Sequence, residues 1–264
     1  MMKPKSAPVR NQTTPLTALL AVSLWLGITP GFAAQDAKAA PSAARIQPAG
    51  DVFSDRQRAI PLIAASMATS DLPTLNDALN QGLDAGLTIS ETKEILVQLY
   101  AYVGFPRSLN ALNELMQVVE ARKQRGIEDA PGREPSHAAP TGNALLAAGT
   151  ANQTRISGGP VKGAVFEFAP VINQFLQAHL FGDIFERDNL DWQSRELATV
   201  GALAATPGVE AQLRSHMAAS LRTGVSAAQL RQVIDLFAQG GYTQAADRAS
   251  TALAQALAAA GEKS

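Results

Sequence analysis

The sequence predicts an all-α protein built from two tandem helical units, and three observations carry that expectation. Apolar residues return three and four apart, as in Ile95, Leu96, Leu99, Tyr100 and Val103. Alternating Val/Ile/Thr runs bounded by hairpin turns are missing from both helical blocks. The two blocks can also be laid over one another, allowing one residue of slip.

The chain opens with Lys3, Lys5 and Arg10 and then an apolar run from Leu16 to Phe32 that exits through Gly31 and Ala33. That order of charge, apolar run and small residues predicts a signal peptide over residues 1–33, cleaved after Ala33, and a protein exported to a periplasm or secreted. Gly27, Pro30 and Gly31 interrupt the run too often for a comfortable membrane span, although an uncleaved anchor is the other reading of the same flanks. No later segment reaches spanning length, so the mature chain is expected to leave the membrane. Residues 34–50, rich in Ala, Pro and Gln, read as a flexible lead-in. A first helical unit follows over 51–125. Residues 126–163 carry Pro131, Pro135, Pro140, Gly158, Gly159 and Pro160 and read as a linker, with room for a short helix at Asn143–Ala148. A second helical unit fills 164–260.

The overlay of the two units begins at Gly86-Leu87-Thr88, which matches Gly224-Val225-Ser226. In each triplet a Gly suited to ending one helix precedes a hydroxyl residue suited to capping the next. Lys93-Glu94-Ile95-Leu96 then falls on Arg231-Gln232-Val233-Ile234, and Arg58–Ala68 falls on Glu196–Thr206. Two such bundles would pack through matching apolar faces as an internal pseudo-dimer.

Composition removes several classes of chemistry. The formal net charge is -1, and loss of the three basic leader residues makes the chain more acidic. Without a Lys/Arg cluster there is no electrostatic footprint for nucleic acid. The chain has no Cys, so disulfides, thiol catalysis and thiolate metal sites are excluded. Its three His, at 137, 179 and 216, leave little for zinc, and no metal or cofactor is expected. HExxH, GxSxG and phosphate-cradling glycine loops are missing as well.

Several short motifs resemble the carboxymuconolactone decarboxylase family, an all-helical group that includes the alkyl hydroperoxidase D-like proteins. The first unit offers Glu94-Ile95-Leu96, Tyr102-Val103-Gly104-Phe105-Pro106 and Asn110-Ala111, similar to the family's Glu, Tyr-x-Gly-x-Pro and Asn-Ala succession. The second offers Leu190-Asp191, Arg195-Glu196-Leu197, Leu213-Arg214-Ser215-His216 and Gly224. The resemblance implies two alkyl hydroperoxidase D-like bundles and assembly as a homotrimer. Peroxidase-type members carry C-x-x-C-x-x-x-H, and here Val209 and Gln212 stand at the cysteine positions, so a thiol-dependent peroxidase mechanism is chemically impossible. Ala78 stands where the second unit has His216, and Arg58 where it has Glu196. The first unit has therefore lost the polar set, which points to the second as the working copy. Thr243 replaces Pro106 in the second unit's own ending.

His216 is the first catalytic candidate, since a neutral imidazole beside an apolar stripe can move protons near neutral pH. A partly buried structural His is the plainer reading. Glu196 and Arg195 precede it by twenty and twenty-one residues, a spacing that lets antiparallel helices bring Glu196 beside the imidazole. Glu196 is the second catalytic candidate. Arg195 is the substrate-binding candidate, because its planar fork suits an acidic substrate; ordinary surface ion pairs account for both residues equally well. His179 and Asp183 share a face if their segment is helical. The segment's resemblance to the region before the family motif makes His179 the third catalytic candidate, and the plainer reading is a His capping a helix that ends at Gly182. Tyr100, Tyr102 and Tyr242 read as core or subunit-contact aromatics.

The resemblance implies a cofactor-independent decarboxylase or isomerase acting by proton transfer on a small acidic lactone or keto acid. An exported binding or scaffold protein that kept the bundle and lost the chemistry is the other expectation, favoured by the loss of polar positions in the first unit.

Overall fold

In the computed structural model the described residues are 52–261, so the expected signal peptide and most of the lead-in lie outside them. Helix α1 (Asp55–Thr69) starts at Ser54, which forms a capping box with Gln57. Asp71 caps α2 (Leu72–Asp84) by accepting from the Thr74 amide. Gly86, with φ at 92°, turns the chain into Thr88, whose capping box with Glu91 starts α3 (Ile89–Val103). α4 (Phe105–Gln124) follows after Gly104, with Pro106 in its first turn, where no intrahelical donor is lost.

The stretch that reads as a linker is anchored. The amides of Ile89 and Ser90 donate to the carbonyls of Ala130 and Pro131, at 3.0 Å each. Arg122, almost fully buried on α4, forks onto Asp129 and reaches Asp84. Asp188 accepts from the Ser136 amide and from Arg133; although burial works to raise its carboxyl, these partners hold it down at about 2. The short helix expected at Asn143–Ala148 is instead α5 (Gly142–Ser157), a full 16 residues. Its second half is held by tertiary contacts that composition does not reveal: Asn152 donates to the Phe181 carbonyl, Gln153 bonds Asn173 and Gln177, and Ile156 is buried.

α6 (Ala164–Phe168) and α7 (Pro170–Phe175) are short, and α7 runs directly into a π-helix over Leu176–Ile184. Nine residues of π-helix are uncommon, and such segments concentrate at functional sites. Asp191 then caps α8 (Trp192–Ala205), which is followed by α9 (Glu210–Arg222). Gly224, with φ at 98°, leads into the Ser226 capping box with Gln229 that starts α10 (Ala227–Gln239), and α11 (Thr243–Ala259) completes the fold. The turn before α10 is thus like the turn before α3: a glycine of positive φ two residues before a hydroxyl cap.

The core forms where α1 lies along α8. Ile60, Ile63, Ala64, Leu197, Ala198 and Val200 are buried there, and the small residues let the two backbones approach closely. A second apolar cluster joins Leu180, Phe181, Ile184 and Phe185, from the π-helix and its end, to Ile156 and Ala219. Tyr100, Tyr102 and Trp192 pack against it. Among the described residues there is no strand, as the hydropathy pattern predicts, and no helix is long and apolar enough to cross a membrane.

Candidate active site

Glu94, Gln98 and Tyr102 follow at four-residue steps along one face of α3. Arg195, Glu196 and Thr199 come from α8, and His216 from α9. The three helices meet beneath the apolar cluster of the π-helix.

Nδ1 of His216 lies 2.8 Å from Oε2 of Glu196. The Glu196 side chain is 0% exposed and the His216 side chain 15%, so the carboxylate is the inner partner and the imidazole reaches the edge. With Nδ1–H donating to the carboxylate, Nε2 is the nitrogen left to exchange a proton. The Tyr102 ring stands edge-on to the imidazole, with centroids 5.4 Å apart. Burial, together with the Glu196 charge, pushes the Tyr102 phenol well above its ordinary value, so it stays protonated. Neighbouring Thr199 donates to the Arg195 carbonyl and accepts from Gln98, at 3.0 Å each, and its hydroxyl also interacts with the Tyr102 phenol, which works the other way on that group. Glu196 Oε1 and Arg195 Nε are buried without a hydrogen-bond partner.

A second polar set backs the first. Arg195 is completely buried and donates to Gln98 Oε1 (2.9 Å), Glu94 Oε1 (2.9 Å) and the Arg187 carbonyl (2.6 Å). Glu94 also accepts from Arg187 and, at 3.2 Å, from Asn189. Burial works to raise the Glu94 carboxyl, but the Arg187 hydrogen bonds and the Arg195 charge outweigh it and hold the group below its ordinary value of 4.5.

A carboxyl depressed by folding contributes stability that is fully present above its ordinary value and is lost as pH falls through the folded one. Thermal stability is therefore expected to decline below about pH 4.5. Glu94→Gln should be less stable at neutral pH yet decline less steeply in acid. Parallel acid limbs for the two proteins, read by circular dichroism melts, would rule this out.

The structure brings His216 and Glu196 together, as the twenty-residue spacing suggests. Arg195 is adjacent in the helix but faces inward, with both terminal nitrogens engaged by the protein. His179 stands apart with Asp183, 2.6 Å from its carboxylate, with both side chains about half exposed. Tyr100 lies against it at 5.6 Å and stacks on Phe105 at 4.1 Å. Gly182 falls inside the π-helix, so His179 does not cap a helix end there. Sequence reasoning missed Tyr102, Glu94, Gln98 and Arg187 as members of the site. The first three were legible only as one face of α3, and that face reads as core until α8 is packed against it. α3, which precedes residue 125, packs Glu94 and Gln98 against Arg195 and Tyr102 against His216, so the candidate residues are not surrounded by 164–260 alone.

Among the described residues no group of three or more His, Cys, Asp or Glu is placed to hold a metal ion. Residues 170–260, about a third of the chain, match the carboxymuconolactone decarboxylase family. No curated protein matches the chain.

Proposed function

We propose, on the premise that residues 170–260 belong to the carboxymuconolactone decarboxylase family, that the chain is a cofactor-independent acid–base enzyme acting on a small acidic lactone or keto acid. The observation that carries this reading is the His216–Glu196 pair: a buried carboxylate fixes the tautomer and orientation of an imidazole at the edge of the site. For decarboxylation, the bond to the departing carbon dioxide breaks and its electron pair passes into the unsaturated lactone as a dienolate. The imidazolium of His216 then returns a proton to carbon. For isomerisation, neutral Nε2 first takes a proton from carbon and later restores it at another position. Neither route needs a thiol, in keeping with a chain that has none.

The N-terminal sequence supports export, and the like order of α1–α4 and α8–α11 supports a duplicated unit. Phe105, Leu109 and Met116 leave an apolar stripe exposed along α4, which supports assembly into the homotrimer that the family resemblance suggests.

The test is solvent-deuterium exchange into a panel of small lactones and keto acids, read by mass spectrometry. Wild-type protein should exchange or release carbon dioxide, and His216→Ala should lose about 10²-fold or more of that rate while keeping its fold. Equal rates in the two proteins would remove His216 from the chemistry. A folded wild type that turns over nothing would favour the scaffold reading, which the commitment of Arg195 to its own protein partners supports.

A further inference from the structure

We infer that the apolar arm formed by α6 and α7 of one chain lies along the open face of α4 on a second copy, filling the groove between that helix and the start of α3. The inference deepens the assembly reading and takes from it only that copies associate.

The arm is helical without burying anything. α6 has five residues and α7 six, and neither contains a buried residue. Isolated helices shorter than about 12–15 residues are marginal in water, and short helices persist in proteins by packing an apolar face. Here that face is open: Phe168 is 91% exposed, and Val165, Val171, Ile172 and Phe175 are between 43% and 61% exposed. Within the chain α6 packs mainly on α7, and α7 on the π-helix. The receiving face is open too. Phe105, Leu109 and Met116 along α4 are 61–63% exposed. Beside them lies a groove of about 870 Å³, lined by Ile89, Leu112, Leu115, Met116 and Val119, to which the arm contributes no residue. The groove sits at the Ile89 end of α3, whereas the π-helix that carries the arm meets α3 at Tyr100, roughly 16 Å further along.

Area and charge select a second copy as the occupant. The arm and the α4 face together leave roughly 850 Å² of apolar surface open on each chain, more than the about 300–600 Å² of the largest patch on an ordinary monomer and close to the about 800 Å² that each partner gives to a stable interface. Each surface also bears one charge of each sign. Lys93 and Glu120 line the groove, and the arm carries Lys162 just before α6 and Glu167 within it. Lys93 holds only an exposed ion pair with Glu134, and Glu120 accepts from the neutral Gln124, so each can exchange its partner for the arm residue of opposite sign. Because the arm's two charges cancel, it lacks the basic excess by which an anionic lipid surface selects an apolar helix. Arm and face are different patches, so the contact is head to tail and is satisfied only when every chain both gives an arm and receives one.

The chain has no Cys, so an exposed position can be turned into a single thiol without background. Phe168→Cys and Met116→Cys are produced separately and together in one host, treated with a hexane-linked bismaleimide and separated on a denaturing gel. The co-produced proteins should give a mixed cross-linked pair that neither variant gives alone. Cross-linking of Phe168→Cys to itself, or of Met116→Cys to itself, without the mixed product would put arm on arm or α4 on α4 and overturns the inference. Wild type that sediments as an oligomer with no cross-link in any sample overturns the contact and leaves the assembly reading standing. Wild type that sediments as a monomer overturns both. In a second assay, Phe168→Glu should keep its helix content by circular dichroism and associate at least about tenfold more weakly by sedimentation. Unchanged association of that variant overturns the inference. Wild type that binds vesicles of phosphatidylcholine and phosphatidylglycerol through Phe168, with no mixed cross-link, gives the arm to a lipid surface and overturns it as well.

Discussion

Arg195→Ala should destabilise the protein by about 3–5 kcal/mol, the cost of breaking a buried ion pair from one side. The guanidinium is completely enclosed, and its removal leaves Glu94, whose side chain is 2% exposed, with the outer cation Arg187 and the neutral donor Asn189. Gln98 loses its donor as well, and a cavity opens beneath the Phe185 ring, whose centre lies 5.6 Å from the guanidinium carbon. For a folded body of this size the melting temperature should fall by roughly 10 °C. The cost comes from the stranded carboxylate more than from the lost attraction, so adding Glu94→Leu to Arg195→Met should recover much of the loss. A single Arg195→Ala variant melting within about 2 °C of wild type would show that the charge is not enclosed as described.

Gly201→Ala should also destabilise, against the sign that helix propensity gives. In a helix interior, Ala is favoured over Gly by about 1 kcal/mol. A Cβ at residue 201, however, would sit 2.6 Å from the Pro61 carbonyl oxygen, 2.8 Å from the Pro61 Cα and 2.9 Å from the Ala64 Cβ. Two of those atoms are backbone of α1, so no rotamer relieves the overlap and the helices must separate. Overpacking of this kind costs about 1–3 kcal/mol and more for larger groups, so Gly201→Val should lie at or beyond the top of that range. Chemical denaturation of both variants would check the order. A Gly201→Ala protein more stable than wild type would show that α1 and α8 can part without cost.

Much of the fold is written in local signals. Thr88 and Ser226 cap the helices that their preceding glycines open, and the three- and four-residue apolar spacing places α3 and α10 correctly. Local composition failed where tertiary contacts decide. The Ala, Gly and Thr of α5 read as linker because its helix is held by the π-helix packed against it, and nothing in Leu176–Ile184 announces a wider turn. At the site, Glu196 and His216 were legible because two neighbouring helices joined by a short loop fix their distance. Arg195 was not, since neighbours in a helix point about 100° apart and only Glu94, a hundred residues earlier, shows which way is inward. Tyr102 carried the signature of a core aromatic, and its approach to His216 is a property of packing alone.

The join between α1 and α8 has a consequence for how the chain can be divided. Its centre, and the walls around His216, draw on α1 and α3 before residue 125 and on α8 and α9 after residue 190, with exposed backbone near His137 between them. A chain severed at that bend yields two pieces, each holding half of the buried charges and neither able to cover its own apolar seam. Cleavage at that bend is expected to leave complementing fragments, each unfolded alone and helical again on mixing, as circular dichroism would read.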